Sequence, residues 1–153
     1  MVSAVVSFCL LITPFILAFL HSSIIYKQHH IKIYANYFIA SNITLFMLIN
    51  SYAYLVDGYS ISKFQGWIFT PAIFQIGIFE LSFFLFSIIA LFKCQNFKSA
   101  CLIFFCIYTI LNSLTLFNGS VYYSGVEAIF VINISSATIS YILARLLSKS
   151  KKN

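Results

Sequence analysis

A single acidic residue, Glu80, lies in the middle of a long apolar segment of this 153-residue chain. A carboxyl group inside a bilayer can bind a polar ligand, exchange a proton or hydrogen-bond to a neighbouring helix. Counting along the helix at about 1.5 Å per residue places this carboxyl about 18 Å deep, near the middle of the hydrocarbon layer. Four more polar side chains fall at the same depth in other apolar segments: Thr13, Thr44, Asn112 and Asn133. We predict that all five form one polar layer, in which Glu80 is the only acid.

The charge state of Glu80 decides what this layer can do. A charged side chain at the centre of a membrane helix costs about 2.5–3.5 kcal/mol on insertion scales. Protonating a carboxyl group of usual pKa about 4.3 at pH 7 costs about 3.7 kcal/mol, so the two costs are close. Because no Lys or Arg falls at this level, we predict a neutral acid that hydrogen-bonds to Asn112. Tyr108, Asn112 and Thr115 share one face of their segment, and we expect that face to turn toward Glu80.

Two roles for Glu80 are left open by the sequence. Polar side chains join membrane helices at about 0.6–2 kcal/mol per contact, which makes the acid a packing residue. An ionisable residue inside the membrane is also the default candidate for a proton relay or a substrate contact.

The composition places these residues in membrane helices. Hydrophobic residues make up 61% of the chain and charged residues 8%, whereas soluble domains have about 45–50% and about 25%. Five apolar segments, each long enough for one crossing, cover residues 2–25, 33–56, 67–92, 99–117 and 126–147. The predicted fold class is therefore all-α: a polytopic transmembrane bundle of five spans, forming one domain over residues 1–153 with no soluble domain. The second segment is the least apolar, and whether it crosses the membrane fully is left open.

The basic residues predict the orientation of the bundle. Eight of the nine Lys and Arg residues fall on one side of a five-span chain, and only Lys63 falls on the other. Because Lys and Arg collect on the cytoplasmic side of short loops, the N-terminus is predicted outside and the C-terminus in the cytoplasm. The net charge of +6 is then a topology signal and predicts no nucleic-acid partner.

The fifth apolar segment carries small residues at a spacing of four, namely Ser136, Ser140 and Ala144. Stripes of small residues let membrane helices approach closely. We expect this face to pack against another helix, and favour a span of the same chain over a second copy.

Residue patterns typical of enzymes and metal sites are not found in the sequence. His29 and His30 are adjacent, so on a helix their side chains point about 100° apart and cannot easily chelate one ion. The four cysteines form no C-x-x-C pair. Nucleophile–base pairs, paired carboxylates and glycine-rich phosphate loops are likewise missing. We therefore predict a protein that is not an enzyme, with no metal and no cofactor.

The stretch around Glu80 resembles a known family. Glu80-Leu81 is followed by Ile89-Ala90-Leu91-Phe92, a short basic loop and Ser99-Ala100-Cys101-Leu102. Residues 71–117 resemble the central helices of the DoxX-like small bacterial membrane proteins, which usually have four spans. The resemblance implies a compact bundle in the cytoplasmic membrane, with links to respiratory or redox components in some members. Glu80 is the only functional position that it carries over.

Two functional hypotheses follow. In the first, the chain is a small non-enzymatic membrane protein that binds a membrane component, a partner or lipid. In the second, it is a small carrier or proton-linked protein that uses Glu80. Both place it in the bacterial cytoplasmic membrane as a multi-pass protein. The lipid bilayer is its first partner, and a second membrane protein or a second copy is a further candidate.

Overall fold

The structure, a computed structural model, describes residues 4–26, 30–64, 68–115 and 126–150, which form helices and no strand. Five helical segments in this part of the chain are long and apolar enough to cross a membrane. They are Val5–Ile24, Ile31–Val56, Pro71–Phe92, Gln95–Leu114 and Glu127–Lys149. The predicted class, a five-span helical membrane bundle, is confirmed.

Seven α-helices and two π-helical segments lie within the described residues, and all of them except the short helix Gly58–Phe64 belong to these spans. The α-helices are α1 (Ala4–His21), α2 (Ile31–Phe38), α3 (Phe46–Val56), α4 (Gly58–Phe64), α5 (Pro71–Phe92), α6 (Gln95–Thr115) and α7 (Val126–Lys149). One π-helical segment, Ser22–Tyr26, continues α1, and the other, Ile39–Leu45, joins α2 to α3. The second span is therefore α2, the π-helical segment and α3, while α5, α6 and α7 are the third, fourth and fifth spans.

Several helix ends differ from the sequence prediction. The third span begins at Pro71 rather than at residue 67, because proline fits the first helical position, where no N–H is needed. The fourth span begins at Gln95, four residues early, since polar residues at a membrane surface continue a helix as readily as apolar ones. The predicted loop after the second span contains α4, whose first turn includes a bond from the Ile61 N–H to the Asp57 carbonyl (3.1 Å).

The second span lies at the centre of the bundle, where it contacts the first, third and fifth spans. Phe38, Ile39, Ile43 and Met47 of this span are fully buried, and the ring of Phe38 packs edge-on against Phe105 of α6. The segment that is least apolar in the sequence is thus a central one. Ser41 donates to the Leu10 carbonyl (3.2 Å) and Ser51 to the Leu48 carbonyl (2.9 Å), which are partners that lipid cannot offer, whereas Nδ2 of the buried Asn42 has no partner among the described residues.

The third and fourth spans are joined by a short connection at Lys93 and Cys94, and they contact each other through large rings. The rings of Phe83 and Phe104 lie 4.9 Å apart and perpendicular, and those of Phe86 and Phe97 lie 5.1 Å apart. The fourth and fifth spans instead pack closely along their length, because small residues line their contact.

One end of the bundle carries most of the described basic residues, and we call it the basic end. Contacts define it: His21 Nδ1 lies 2.8 Å from the Tyr37 hydroxyl, and Lys98 donates to the side-chain oxygen of Asn36 (2.6 Å). The end of α1 and the beginnings of α2 and α6 therefore meet here. The basic residues at this end are Lys32, Lys93, Lys98, Arg145 and Lys149, whereas Lys63 lies on α4 at the opposite end.

Candidate functional site in the membrane interior

Glu80 lies on the buried face of α5, and 2% of its surface is exposed. The buried residues of this helix recur every three or four positions, as one helical face requires. They are Ile73, Gly77, Glu80, Phe83, Ser87 and Ala90. The acid therefore points into the bundle and away from lipid.

The carboxyl group of Glu80 has one partner on the fourth span. The Tyr108 hydroxyl donates a hydrogen bond to Oε1 of Glu80. The other oxygen, Oε2, is buried and has no hydrogen-bond partner among the described residues. The carboxyl group can therefore make one more hydrogen bond, as acceptor when ionised or as donor when protonated.

Aromatic rings hold Tyr108 in place. Its ring stacks on Phe79 at 6.0 Å and on Phe105 at 6.3 Å, and Phe83 lies across it at 5.9 Å. Such contacts restrict the tyrosine ring, so its hydroxyl is directed at Glu80.

The second span packs against α5 beside Glu80. A Cβ atom placed on Gly77, one turn before Glu80, would lie 2.8 Å from Leu55 and 3.1 Å from the Cβ atom of Tyr54. Tyr54 is also near enough to Tyr108 for an electrostatic interaction. Glu80 thus lies where the second, third and fourth spans meet, and we call Glu80, Tyr108, Tyr54 and Gly77 the Glu80 centre.

Asn112 and Thr44, two members of the predicted polar layer, lie differently with respect to Glu80. Asn112 follows Tyr108 by one turn on α6 and is half-buried, and its proposed bond to Glu80 stays a prediction. Thr44 is buried, but its hydroxyl lies 2.8 Å from that of Ser87. Ser87 is seven residues from Glu80, or about 10 Å along α5. Thr44 therefore lies nearer the basic end than Glu80 does.

Thr13 differs from the prediction because its side chain is exposed on the surface of α1. The buried positions of this helix are Leu11, Pro14 and Ala18, which share one face. Thr13 precedes Pro14 by one residue, or about 100° around the helix, and so turns away from that face. Counting residues gives the depth of a side chain but not the direction in which it points.

The small residues of α7 lie against the fourth span of the same chain. Ser136, Ser140 and Ala144 are buried, and Ser99 of α6 donates from its hydroxyl to the Ala144 carbonyl (3.1 Å). Asn133 is also buried on α7, and its Nδ2 has no partner among the described residues. Because α7 packs on α6, α1 and α2, Asn133 lies among the small residues of this contact, and its place in one polar layer with Glu80 stays a prediction.

The sequence analysis did not identify Tyr54, Gly77 or Ser87 as parts of the interior. Gly77 carried a usable signal, since a glycine one turn from a buried acid in a membrane helix indicates close approach by a neighbour. Tyr54 gave no such signal, because a tyrosine near the end of a span is typical of the aromatic belt.

These features define a multi-pass helical membrane protein with a buried acid–tyrosine pair in its interior. The chain belongs to DUF6790, a family of unknown function whose model matches residues 4–153. No curated protein and no solved structure matches it. The resemblance of residues 71–117 to the DoxX-like proteins is not tested by this match and stays a prediction.

Proposed function

We propose that this protein is a small non-enzymatic membrane protein that binds another membrane component, a partner protein or a lipid, at the Glu80 centre. One observation carries the proposal: Oε2 of Glu80 is buried without a hydrogen-bond partner in the described part of the chain. An unsatisfied buried polar atom costs about 1–3 kcal/mol. A bound component that supplies one hydrogen bond recovers this free energy.

The position of the acid limits what can bind. Glu80 lies midway along a 22-residue apolar helix, so a ligand must reach it through the membrane. Most of the large side chains exposed on this helix are apolar, among them Phe74, Ile78 and Leu85. A component with an apolar body and one polar group fits both surroundings.

The absence of a second carboxylate near Glu80 supports a non-enzymatic role. The chain has three acidic residues in all, and Asp57 and Glu127 lie beside helix ends away from the membrane interior. Acid–base chemistry between two carboxylates at Glu80 would need a second acid beside it. Tyr108 donates to Glu80 and positions it instead.

We further propose that the bundle lies in the bacterial cytoplasmic membrane with its basic end in the cytoplasm. The grouping of Lys32, Lys93, Lys98, Arg145 and Lys149 at that end supports this orientation. The N-terminus of the first span is then outside.

Binding is tested by native mass spectrometry of the full chain released from its host membranes in a mild detergent. We expect a co-purified molecule on the wild type, its retention in Glu80→Gln, which keeps the hydrogen-bonding shape, and its loss in Glu80→Leu. Ser82→Leu, on the exposed face of α5, is the matched control and should retain the molecule. Equal occupancy in Glu80→Leu and wild type would contradict binding at this centre.

A proton-linked carrier is the second candidate, and the Tyr108–Glu80 hydrogen bond favours it because a hydroxyl on a carboxyl group can exchange a proton. Liposomes that contain the protein and an internal pH-sensitive dye test this role under an imposed pH gradient. A carrier gives a proton flux that Glu80→Gln abolishes. Wild-type liposomes that hold the gradient as long as protein-free ones would exclude it.

A further inference from the structure

Two lysines from different spans meet at the basic end. The ammonium group of Lys98, in the first turn of α6, donates to the side-chain oxygen of Asn36 on α2 at 2.6 Å. Asn36 is four residues after Lys32, so the two side chains share one face of α2. The charges of Lys32 and Lys98 interact with each other. The Lys98 ammonium group is thus held at the junction of the second and fourth spans, with Lys32 on the same face of α2 as its partner Asn36.

No side-chain carboxylate of this chain neutralises the pair. The chain has three acidic residues, Asp57, Glu80 and Glu127. Asp57 and Glu127 lie at the opposite end of the bundle. Glu80 is twelve residues from the last residue of α5, or about 18 Å along the helix axis. Because no carboxylate of the chain lies near them, the repulsion between the positive charges of Lys32 and Lys98 is not offset. The pair therefore favours binding of an anion from outside the chain.

The surroundings add to the attraction for an anion. Lys32 and Lys98 both lie in the first turn of a helix, where the helix dipole is positive. Lys98 is half-buried, and its hydrogen bond to Asn36 uses only one of the three N–H donors of the ammonium group. Its charge is therefore less screened than that of an exposed lysine.

We propose that Lys32 and Lys98 bind the phosphate group of an anionic phospholipid. Both residues lie at the ends of segments long and apolar enough to span the membrane. This position matches the depth at which the polar headgroups of lipids begin, just outside the hydrocarbon core. A lipid phosphate is the anion present at that depth, and its acyl chains extend along the apolar span surface. The site is independent of the Glu80 centre, which lies in the membrane interior.

Titration of the purified full chain with phosphatidylglycerol, followed by native mass spectrometry, tests this proposal. We expect Lys32→Gln to weaken the tightest lipid-binding step about fivefold, and Lys32→Gln with Lys98→Gln about 25-fold, since a lysine that contacts the lipid phosphate contributes about 1 kcal/mol to its binding. Lys93→Gln with Lys149→Gln removes the same charge from exposed positions at the same end. This matched control should keep the wild-type Kd for that step.

A charge-conserving variant and the single substitution keep the test decisive. Lys32→Arg with Lys98→Arg retains both charges and should retain binding. Lys32→Gln alone leaves the Lys98–Asn36 bond intact, so it reports on binding even if the double variant does not fold. Circular dichroism and gel filtration identify a variant that has lost its fold.

Several outcomes would overturn the proposal. Equal weakening in the Lys93 and Lys149 control would show diffuse attraction to the basic end. Equal affinity for phosphatidylcholine would show that the lipid charge is not recognised. Displacement of phosphatidylglycerol by inorganic phosphate alone would assign the site to a water-soluble anion.

Discussion

The Tyr108 hydroxyl on the fourth span donates a hydrogen bond to Oε1 of Glu80 on the third span. Apart from this bond, the two helices contact mainly through aromatic rings, so it is a directional link between them. The same contact leaves Oε2 with unused hydrogen-bonding capacity. One residue pair therefore stabilises the bundle and presents a polar group in the membrane interior.

Removing the Tyr108 hydroxyl should destabilise the bundle. Tyr108→Phe keeps the ring contacts but removes the hydroxyl that donates to Oε1, so that neither oxygen of Glu80 has a partner among the described residues. The expected cost is about 1–3 kcal/mol in the free energy of unfolding. Unfolding by SDS in mixed micelles measures the difference. Tyr141→Phe, at an exposed tyrosine of α7, is the control and should change stability by less than about 0.5 kcal/mol. Equal effects of the two variants would show that the Tyr108–Glu80 bond does not stabilise the fold.

Gly77→Ala should also destabilise the bundle, although alanine is the better helix former by about 1 kcal/mol. The added methyl group would lie 2.8 Å from Leu55 and 3.1 Å from the Cβ atom of Tyr54, so α3 must move. We expect a net loss of about 1–3 kcal/mol, as for other overpacked interiors.

Gly58→Ala serves as the matched comparison for this change. Its methyl group would meet a side-chain carbon of Ile73 at 3.1 Å, and a slight shift of that side chain relieves the contact. We expect its stability to stay near that of the wild type. A stabilising Gly77→Ala would mean that the second and third spans are less closely packed than the structure shows.

Hydropathy and charge predicted the number of spans and singled out Glu80, because both signals depend on composition along the chain. The face of α6 that bears Tyr108 was also predictable, since side chains three or four residues apart share a face. Rotational and axial offsets between helices were not predictable. Thr13 turns outward and Thr44 pairs with Ser87 because packing of whole helices, including a π-helical segment, sets these positions. Counting residues along one helix does not give its rotation or its axial shift relative to a neighbouring helix.

The Thr44–Ser87 contact should couple the second and third spans. The two hydroxyl oxygens lie 2.8 Å apart, and that of Thr44 also lies 3.0 Å from the Ile39 carbonyl oxygen inside the π-helical segment. A double-mutant cycle of Thr44→Val and Ser87→Ala should give a coupling free energy of about 0.5–1.5 kcal/mol. Strictly additive effects of the two substitutions would show that the hydroxyl pair contributes nothing to the contact.

Close packing of the fourth and fifth spans predicts a sharp difference between two neighbouring positions of α7. Ser140 is fully buried, whereas Thr138 is exposed on the same helix. Ser140→Leu should lower the free energy of unfolding by about 1–3 kcal/mol, because the larger side chain separates the helices. Thr138→Leu adds a similar apolar side chain facing lipid and should be nearly neutral. Tolerance of leucine at Ser140 would contradict the observed approach of α6 and α7.

The proposed orientation can be tested with a cysteine that the chain already has. Cys94 is exposed at the basic end, between α5 and α6. A cytoplasmic basic end predicts that a membrane-impermeant maleimide labels Cys94 in inside-out vesicles and not in intact cells. Ser60→Cys in a Cys94→Ala background places the thiol on α4, at the opposite end, and should be labelled in intact cells. Among the described residues between these two positions, α5 is the only helix long and apolar enough to span the membrane, so labelling of both from one side would contradict its crossing. A reversed pattern would keep the crossing and invert the orientation.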